Sequence, residues 1–208
     1  MSNPSLGLYI LASLALIATP GQDMIYVITR SLAQGRFAGL CSAVGVCLGI
    51  LVHTALAALG VGAILQASES LFVLLKWAGA AYLVYLGLRL VLSRDAVRID
   101  AAARARVAPL SLVWQGVLSN VTNPKIVLFF FAFLPQFVDP ASAHPTRDLA
   151  FLGVLYALLA LPVKAGVGLA AGSVSERVLR HPAAMAWMNR VGGGVLIALG
   201  LRLAATDR

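Results

Sequence analysis

Thr19-Pro20-Gly21-Gln22-Asp23 interrupts a segment from Leu6 to Ile28 that is otherwise apolar. A run of that length reads as a membrane span, and a span centre is a poor place for proline, glycine and a carboxylate. Pro20 has no N–H to give the carbonyl of Leu16, so the helix kinks or breaks there. The same five residues read as a helix start, with Thr19 as N-cap, Pro20 at the first helical position and Gln22 three residues after the cap. A helix that stops and restarts at membrane depth exposes polar backbone, which is tolerated only against protein or a water-filled cavity. Asp23 costs about 2.5–3.5 kcal/mol at a span centre on insertion scales. A kinked span with a satisfied acid is the plain reading; a polar binding site inside the membrane is the sharper one.

Composition agrees with a membrane setting. Of 208 residues, 60% are hydrophobic and 12% charged, and mean hydropathy is +0.90. A soluble domain is about a quarter charged. Almost the whole length goes into spans, which leaves no room for a separate soluble domain. The net charge of +8 points to anionic lipid and not to nucleic acid, because no basic stretch carries interleaved aromatics. The first apolar run has no Lys or Arg before it and no small-residue cleavage site after it, so it reads as a retained span. Cys41 and Cys47 share one span, too far apart along a helix to bond each other.

Apolar runs cover about Leu6–Ile28, Phe37–Leu65, Leu71–Leu92, Leu110–Phe133, Leu149–Ala171 and Val191–Ala205. Arginines gather in alternate connections: Arg30 and Arg36 in the first, Arg94, Arg98, Arg104 and Arg106 in the third, Arg177, Arg180 and Arg190 in the fifth. The second has none and the fourth only Arg147. The positive-inside rule places the first, third and fifth in the cytoplasm and both termini outside, with Arg202 and Arg208 pulling mildly the other way.

The chain also repeats itself. Gly87-Leu88-Arg89-Leu90 matches Gly200-Leu201-Arg202-Leu203, and Gly79, Leu83 and Leu86 match Gly192, Leu196 and Leu199. In the fourth run Asn120, Thr122, Asn123, Pro124 and Lys125 break the apolar pattern. Asn123 suits an N-cap and Pro124 the first helical position, as in the first run. Three spans are an odd number, so two such halves enter the bilayer in opposite orientations, the plan of many secondary transporters. Both breaks fall about 20 Å into a core of about 30 Å, hence about 5 Å to either side of the midplane. The fold expected is an all-α polytopic membrane protein of six transmembrane helices, built as two inverted three-helix repeats with the first and fourth helices broken. It forms one domain: repeat one is about residues 1–92, a cytoplasmic connection about 93–109, and repeat two about 110–208.

The residues able to carry chemistry cluster at the breaks. Restarted helices present unpaired N–H groups suited to a carboxylate. Lys125 can hold a substrate carboxylate, pair with Asp23 or snorkel. Lys164 follows Pro162 in the fifth run and shares a face with Gly168 and Gly172; a lysine this deep needs a partner. His53 shares a stripe with Gly45 and Gly49, a close-packing seam, and its charge can change near physiological pH. Lys76 and Arg89 are placed at the ends of the third span, at the interface, with Tyr82 and Tyr85 as wall packing.

These residues resemble the lysine exporter (LysE/RhtB) family of amino-acid efflux proteins, over nearly the whole chain. The resemblance rests on Thr19-Pro20-Gly21-Gln22-Asp23 followed by Arg30-Ser31-Leu32-Ala33-Gln34-Gly35-Arg36, on Gly79-Ala80-Ala81-Tyr82-Leu83 to Gly87, and on Asn123-Pro124-Lys125 followed by Phe133-Leu134-Pro135-Gln136-Phe137. The family pattern usually has proline at the position of Gln22 and often Asn or Asp at that of Asp23. The resemblance implies export of amino acids or related metabolites across the bacterial inner membrane, driven by proton exchange.

Together these readings give a substrate site of Thr19, Pro20, Gly21, Gln22, Asp23, Asn120, Asn123, Pro124 and Lys125. Asp23, His53 and Lys164 are the candidates for proton coupling. No cofactor, metal or ATP is implied, since no phosphate-binding loop pattern is present. The partners are a zwitterionic small molecule and the bilayer; glycine seams leave association of copies open. A metal-cation exporter needs acids or thiols clustered in spans, a thiol–disulfide carrier needs cysteines that can meet, and an intramembrane serine protease needs a Ser–His pair. The sequence favours none of these.

Overall fold

A computed structural model describes residues 4–61, 69–92, 106–139, 142–171 and 182–205. Arg94, Arg98, Arg104, Gly172, Arg177, Arg180 and Arg208, invoked above, lie outside the described residues. Those described form helices and short connections, in the order α1 (Pro4–Ala18), α2 (Gln22–Gln34), α3 (Arg36–Leu56, extended by a π-helical turn Ala57–Val61), α4 (Glu69–Leu92), α5 (Pro109–Val121), α6 (Pro124–Leu128, continued by a π-helical stretch Phe129–Phe133 and a 3-10 turn Leu134–Phe137), α7 (Pro145–Ala171) and α8 (Pro182–Ala205).

Both predicted breaks are present. Leu6–Ala18 and Gln22–Gln34 meet at 49°, and Pro109–Val121 and Pro124–Phe137 meet at 54°. By length and composition, two helices among the described residues can cross a membrane, Arg36–Gly60 and Pro145–Ala171, or four if each bent pair counts as one span. The 24-residue helices α4 and α8 are long enough to cross a bilayer, at about 36 Å. Exposed leucines such as Leu11, Leu48, Leu158 and Leu201 cover the outward faces, as lipid contact requires.

Small residues let the helices approach closely. Parallel α3 and α5 meet through Gly45, Gly49 and Gly116: a Cβ at Gly116 would lie 2.8 Å from the Ser42 carbonyl, and one at Gly49 2.6 Å from the Asn120 Cβ. The seam read at Gly45 and Gly49 is therefore real, and α5 is what it packs against. Gly35, at φ 87°, turns the chain from α2 into α3, a backbone state that favours glycine.

Two antiparallel pairs show reciprocal contacts. A Cβ on Gly87 of α4 would meet the Gly193 carbonyl and Ile197; one on Gly200 of α8 would meet the Ala80 carbonyl and Val84. Gly87 and Gly200, Ala80 and Gly193, and Val84 and Ile197 are equally spaced in sequence. Each contact is thus answered by its mirror. Likewise Gly39 of α3 abuts Gly168 of α7, while Gly153 of α7 abuts Thr54 of α3, again at one common spacing.

The core is aromatic beneath the second break. Phe129, Phe130 and Phe133 are buried with Tyr9 and Tyr156, and Phe129 and Tyr156 stack at 4.8 Å between centroids. The Tyr9 hydroxyl donates to the Leu152 carbonyl at 2.6 Å, tying α1 to α7.

Candidate functional site

The two breaks are built differently. At the second, the chain follows the prediction: Asn123 is the N-cap, its side-chain oxygen accepts from the Lys125 amide at 3.1 Å, and Pro124 begins the helix. At the first, Thr19 is not the cap. Its hydroxyl turns back to donate to the Ala15 carbonyl at 2.8 Å, so it closes α1 instead of opening α2. The N-cap is Gly21, with φ −167° and ψ −175° and no capping side chain. This extended residue after Pro20 delays helical geometry until Gln22. Pro20 lies in the linker and not at the first helical position, and the predicted Thr19–Gln22 capping relation is absent. The first amides of α2 are left without a side-chain acceptor.

The breaks touch. The Gln22 side-chain amide donates to the Thr122 hydroxyl at 3.3 Å. The Asn120 amide donates to the Asp23 carboxylate at 2.8 Å. The Lys125 ammonium donates to the carbonyls of Leu16 at 3.2 Å and Thr19 at 3.1 Å, so it neither snorkels nor forms an ion pair with Asp23. The Leu16 carbonyl is the one Pro20 cannot serve. The equivalent carbonyl before Pro124 belongs to Asn120, and it meets His53 Nε2 at 3.2 Å as well as the Asn123 amide at 2.9 Å. Each proline-orphaned carbonyl is met by a basic side chain from another span.

The site is buried and lined by ionisable side chains. Asp23 is 2% exposed, Lys164 3% and Lys125 7%. Asp23 bears electrostatically on Lys125, Lys164 and His53. No hydrogen bond among the described residues reaches Lys164. Asp23 Oδ1, Asn120 Oδ1, His53 Nδ1, Asn123 Nδ2 and the Tyr156 hydroxyl are buried without a hydrogen-bond partner among the described residues. Buried polar atoms are nearly always paired, so these atoms are a concentration of unmet hydrogen-bonding capacity beside the breaks.

The frame around the site is rigid. Tyr26 donates to the Leu112 carbonyl at 2.6 Å and Arg30 to Gln115 at 2.8 Å, fixing α2 to α5. The Ser31 hydroxyl donates to the Gly168 carbonyl, fixing α2 to α7. Lys76, predicted at the interface, is 4% exposed, with its ammonium 5.5 Å from the Trp77 ring centre. Lys76 faces inward on α4, while Leu74 and Trp77 on the same turn are exposed.

A family model described as LysE type translocator matches residues 14–207. The chain belongs to this family. Among relatives, an uncharacterized membrane protein of Vibrio cholerae serotype O1 is 32% identical over 94% of each chain. The homoserine/homoserine lactone efflux protein of Salmonella typhimurium is 29% identical, covering 95% of this chain and 94% of its own. The leucine efflux protein of Salmonella choleraesuis is 29% identical over 65% and 64%. No solved structure matches.

In this LysE type translocator the predicted residues Thr19 to Asp23, Asn120, Asn123, Pro124, Lys125 and His53 do converge, and Lys164 joins them through the field of Asp23. Sequence reading missed Tyr156. The available signal was its spacing: Tyr156, Ala160, Lys164 and Gly168 fall every four residues on one face of α7, the stripe that faces the breaks.

Proposed function

We propose that this membrane translocator is a secondary-active exporter of a zwitterionic amino acid or close analogue across the bacterial cytoplasmic membrane. It works by alternating access around the paired breaks, in exchange for protons. The observation that carries this reading is the meeting of two broken helices around a buried carboxylate and two buried lysines. One acid against two ammonium groups leaves an imbalance that a substrate carboxylate offsets. Lys164, free of hydrogen bonds among the described residues, and the uncapped amides after Gly21 suit that carboxylate. Asp23, with one open oxygen, suits the ammonium group or the coupling proton. Relatives named for efflux of homoserine, homoserine lactone and leucine support an amino-acid cargo.

The chain is read as a single transporter domain of two inverted three-span halves, with connections one, three and five cytoplasmic and both termini outside. The reciprocal glycine contacts of α4 with α8 and of α3 with α7 support the inverted plan, because antiparallel equivalents are what an odd-span duplication produces.

The test is efflux from cells or vesicles loaded with single amino acids, homoserine and leucine first. Asp23→Asn and Lys164→Met, each expressed and folded, should lower export at least about tenfold, the scale set by losing one charge-assisted hydrogen bond. Normal export by both variants means the substrate sits elsewhere.

A further inference from the structure

We propose that the Lys125 ammonium is a built-in stand-in for the ammonium group of the transported solute, occupying the seat that the solute must take. This rests on the exporter reading above. The seat is the C-terminal end of α1, where the carbonyls of Leu16 and Thr19 point at the lysine at 3.2 and 3.1 Å. Helix C-termini carry partial negative charge, and Pro20 removes the one backbone donor that would otherwise occupy Leu16. The neighbouring carboxylate, Asp23, keeps Oδ1 buried and unpartnered among the described residues. The two carbonyls accept two of the three donors of a primary ammonium, and Asp23 acts on the seat through its field.

The lysine comes from the other half of the chain and fits because residue 21 is glycine: a Cβ there would lie 3.1 Å from Nζ. Gly21 is extended, so its backbone does not require glycine; an added Cβ would instead make the Lys125 ammonium shift by a small amount. The matching carbonyl of the second break, Asn120, is already held by the Asn123 amide and His53. Only the first break therefore offers an exchangeable cation seat. A solute ammonium arriving there frees Lys125, and with it one bond between the two broken helices. The seat selects groups that donate hydrogen bonds, so it takes primary ammonium and refuses quaternary ammonium.

The experiment is equilibrium binding of radiolabelled methylammonium to the purified full-length protein in detergent, with tetramethylammonium as competitor. In K125M the half-saturating methylammonium concentration should fall at least about tenfold, equivalent to about 1.4 kcal/mol, and tetramethylammonium should not compete. Gly21→Ala keeps the charge but crowds Nζ, and should shift binding in the same direction by a smaller factor. If K125M does not fold, Gly21→Ala decides alone. Unchanged or weaker methylammonium binding in the folded variants overturns the proposal, as does competition by tetramethylammonium. Failure here with intact amino-acid export leaves the exporter reading standing. Tighter methylammonium binding in a protein that exports no amino acid supports the seat and overturns the exporter.

Discussion

Asn120 hands its side-chain amide to Asp23 at 2.8 Å, across 97 residues of sequence. That bond is the direct polar link between the acid of the first break and the fourth-span helix that ends at the second. Removing it in Asn120→Ala leaves a buried carboxylate with no hydrogen-bond donor among the described residues. A hydrogen bond to a charged group contributes about 1.5–3 kcal/mol. Asn120→Ala should lower the free energy of unfolding in detergent by that amount and cut efflux. Asn120→Asp sets two acids together and should be worse than Ala in efflux at neutral pH and recover as pH falls, because protonation of one acid restores a donor. A monotonic pH response identical to Ala would place the two side chains apart.

On the proposed exporter reading Asp23 is a candidate for the coupling proton, whereas His53 Nε2 lies at the Asn120 carbonyl. His53→Gln keeps a donor with no titratable proton in the working range. It should export with an unchanged dependence on an inward proton gradient. Asp23→Asn should lose that dependence together with most of its export. Vesicle efflux with and without an imposed pH difference separates the two, and a flattened response in His53→Gln would reassign the proton.

The glycine seam between α4 and α8 can be tested from both ends. A Cβ at Gly87 falls 2.6 Å from the Gly193 carbonyl, and one at Gly200 falls 2.8 Å from the Ala80 carbonyl. Each alanine should cost about 1–3 kcal/mol through overpacking, and the two costs should be similar. Since either one pushes the same helices apart, the double variant should cost less than the sum by about 0.5 kcal/mol or more. Denaturation in detergent measures this cycle, and strict additivity would mean that the two contacts are independent.

Gly166 provides the contrast. A Cβ there meets nothing within 4 Å. Gly166→Ala should leave stability within about 0.5 kcal/mol and export unchanged, whereas Gly153→Ala, whose Cβ would strike Thr54, should lower the melting temperature.

What could be read beforehand follows from how local the cause is. Pro20 and Pro124 break their helices through a missing N–H, a property of one residue, and both breaks were legible. Asn123 caps its own helix within two residues, and that too was legible. Gly45 and Gly49 announced a seam by spacing. Thr19 was misread because its hydroxyl has two local acceptors or donors to choose between, and the extended Gly21 decides for the earlier one. The seat of Lys125 and the burial of Lys76 depend on what other spans bring to them, which no window of local sequence contains. The four-residue stripe through Tyr156 and Lys164 was present in the chain but mixed with ordinary alanine and glycine packing.

The mirrored contacts of α4 and α8 also constrain how this chain can change over time. Such a surface cannot drift at one place alone: a bulkier residue at Gly87 must be matched by trimming directly opposite on α8, at Ile197. Substitutions there should therefore arise as couples, one on α4 and one on α8.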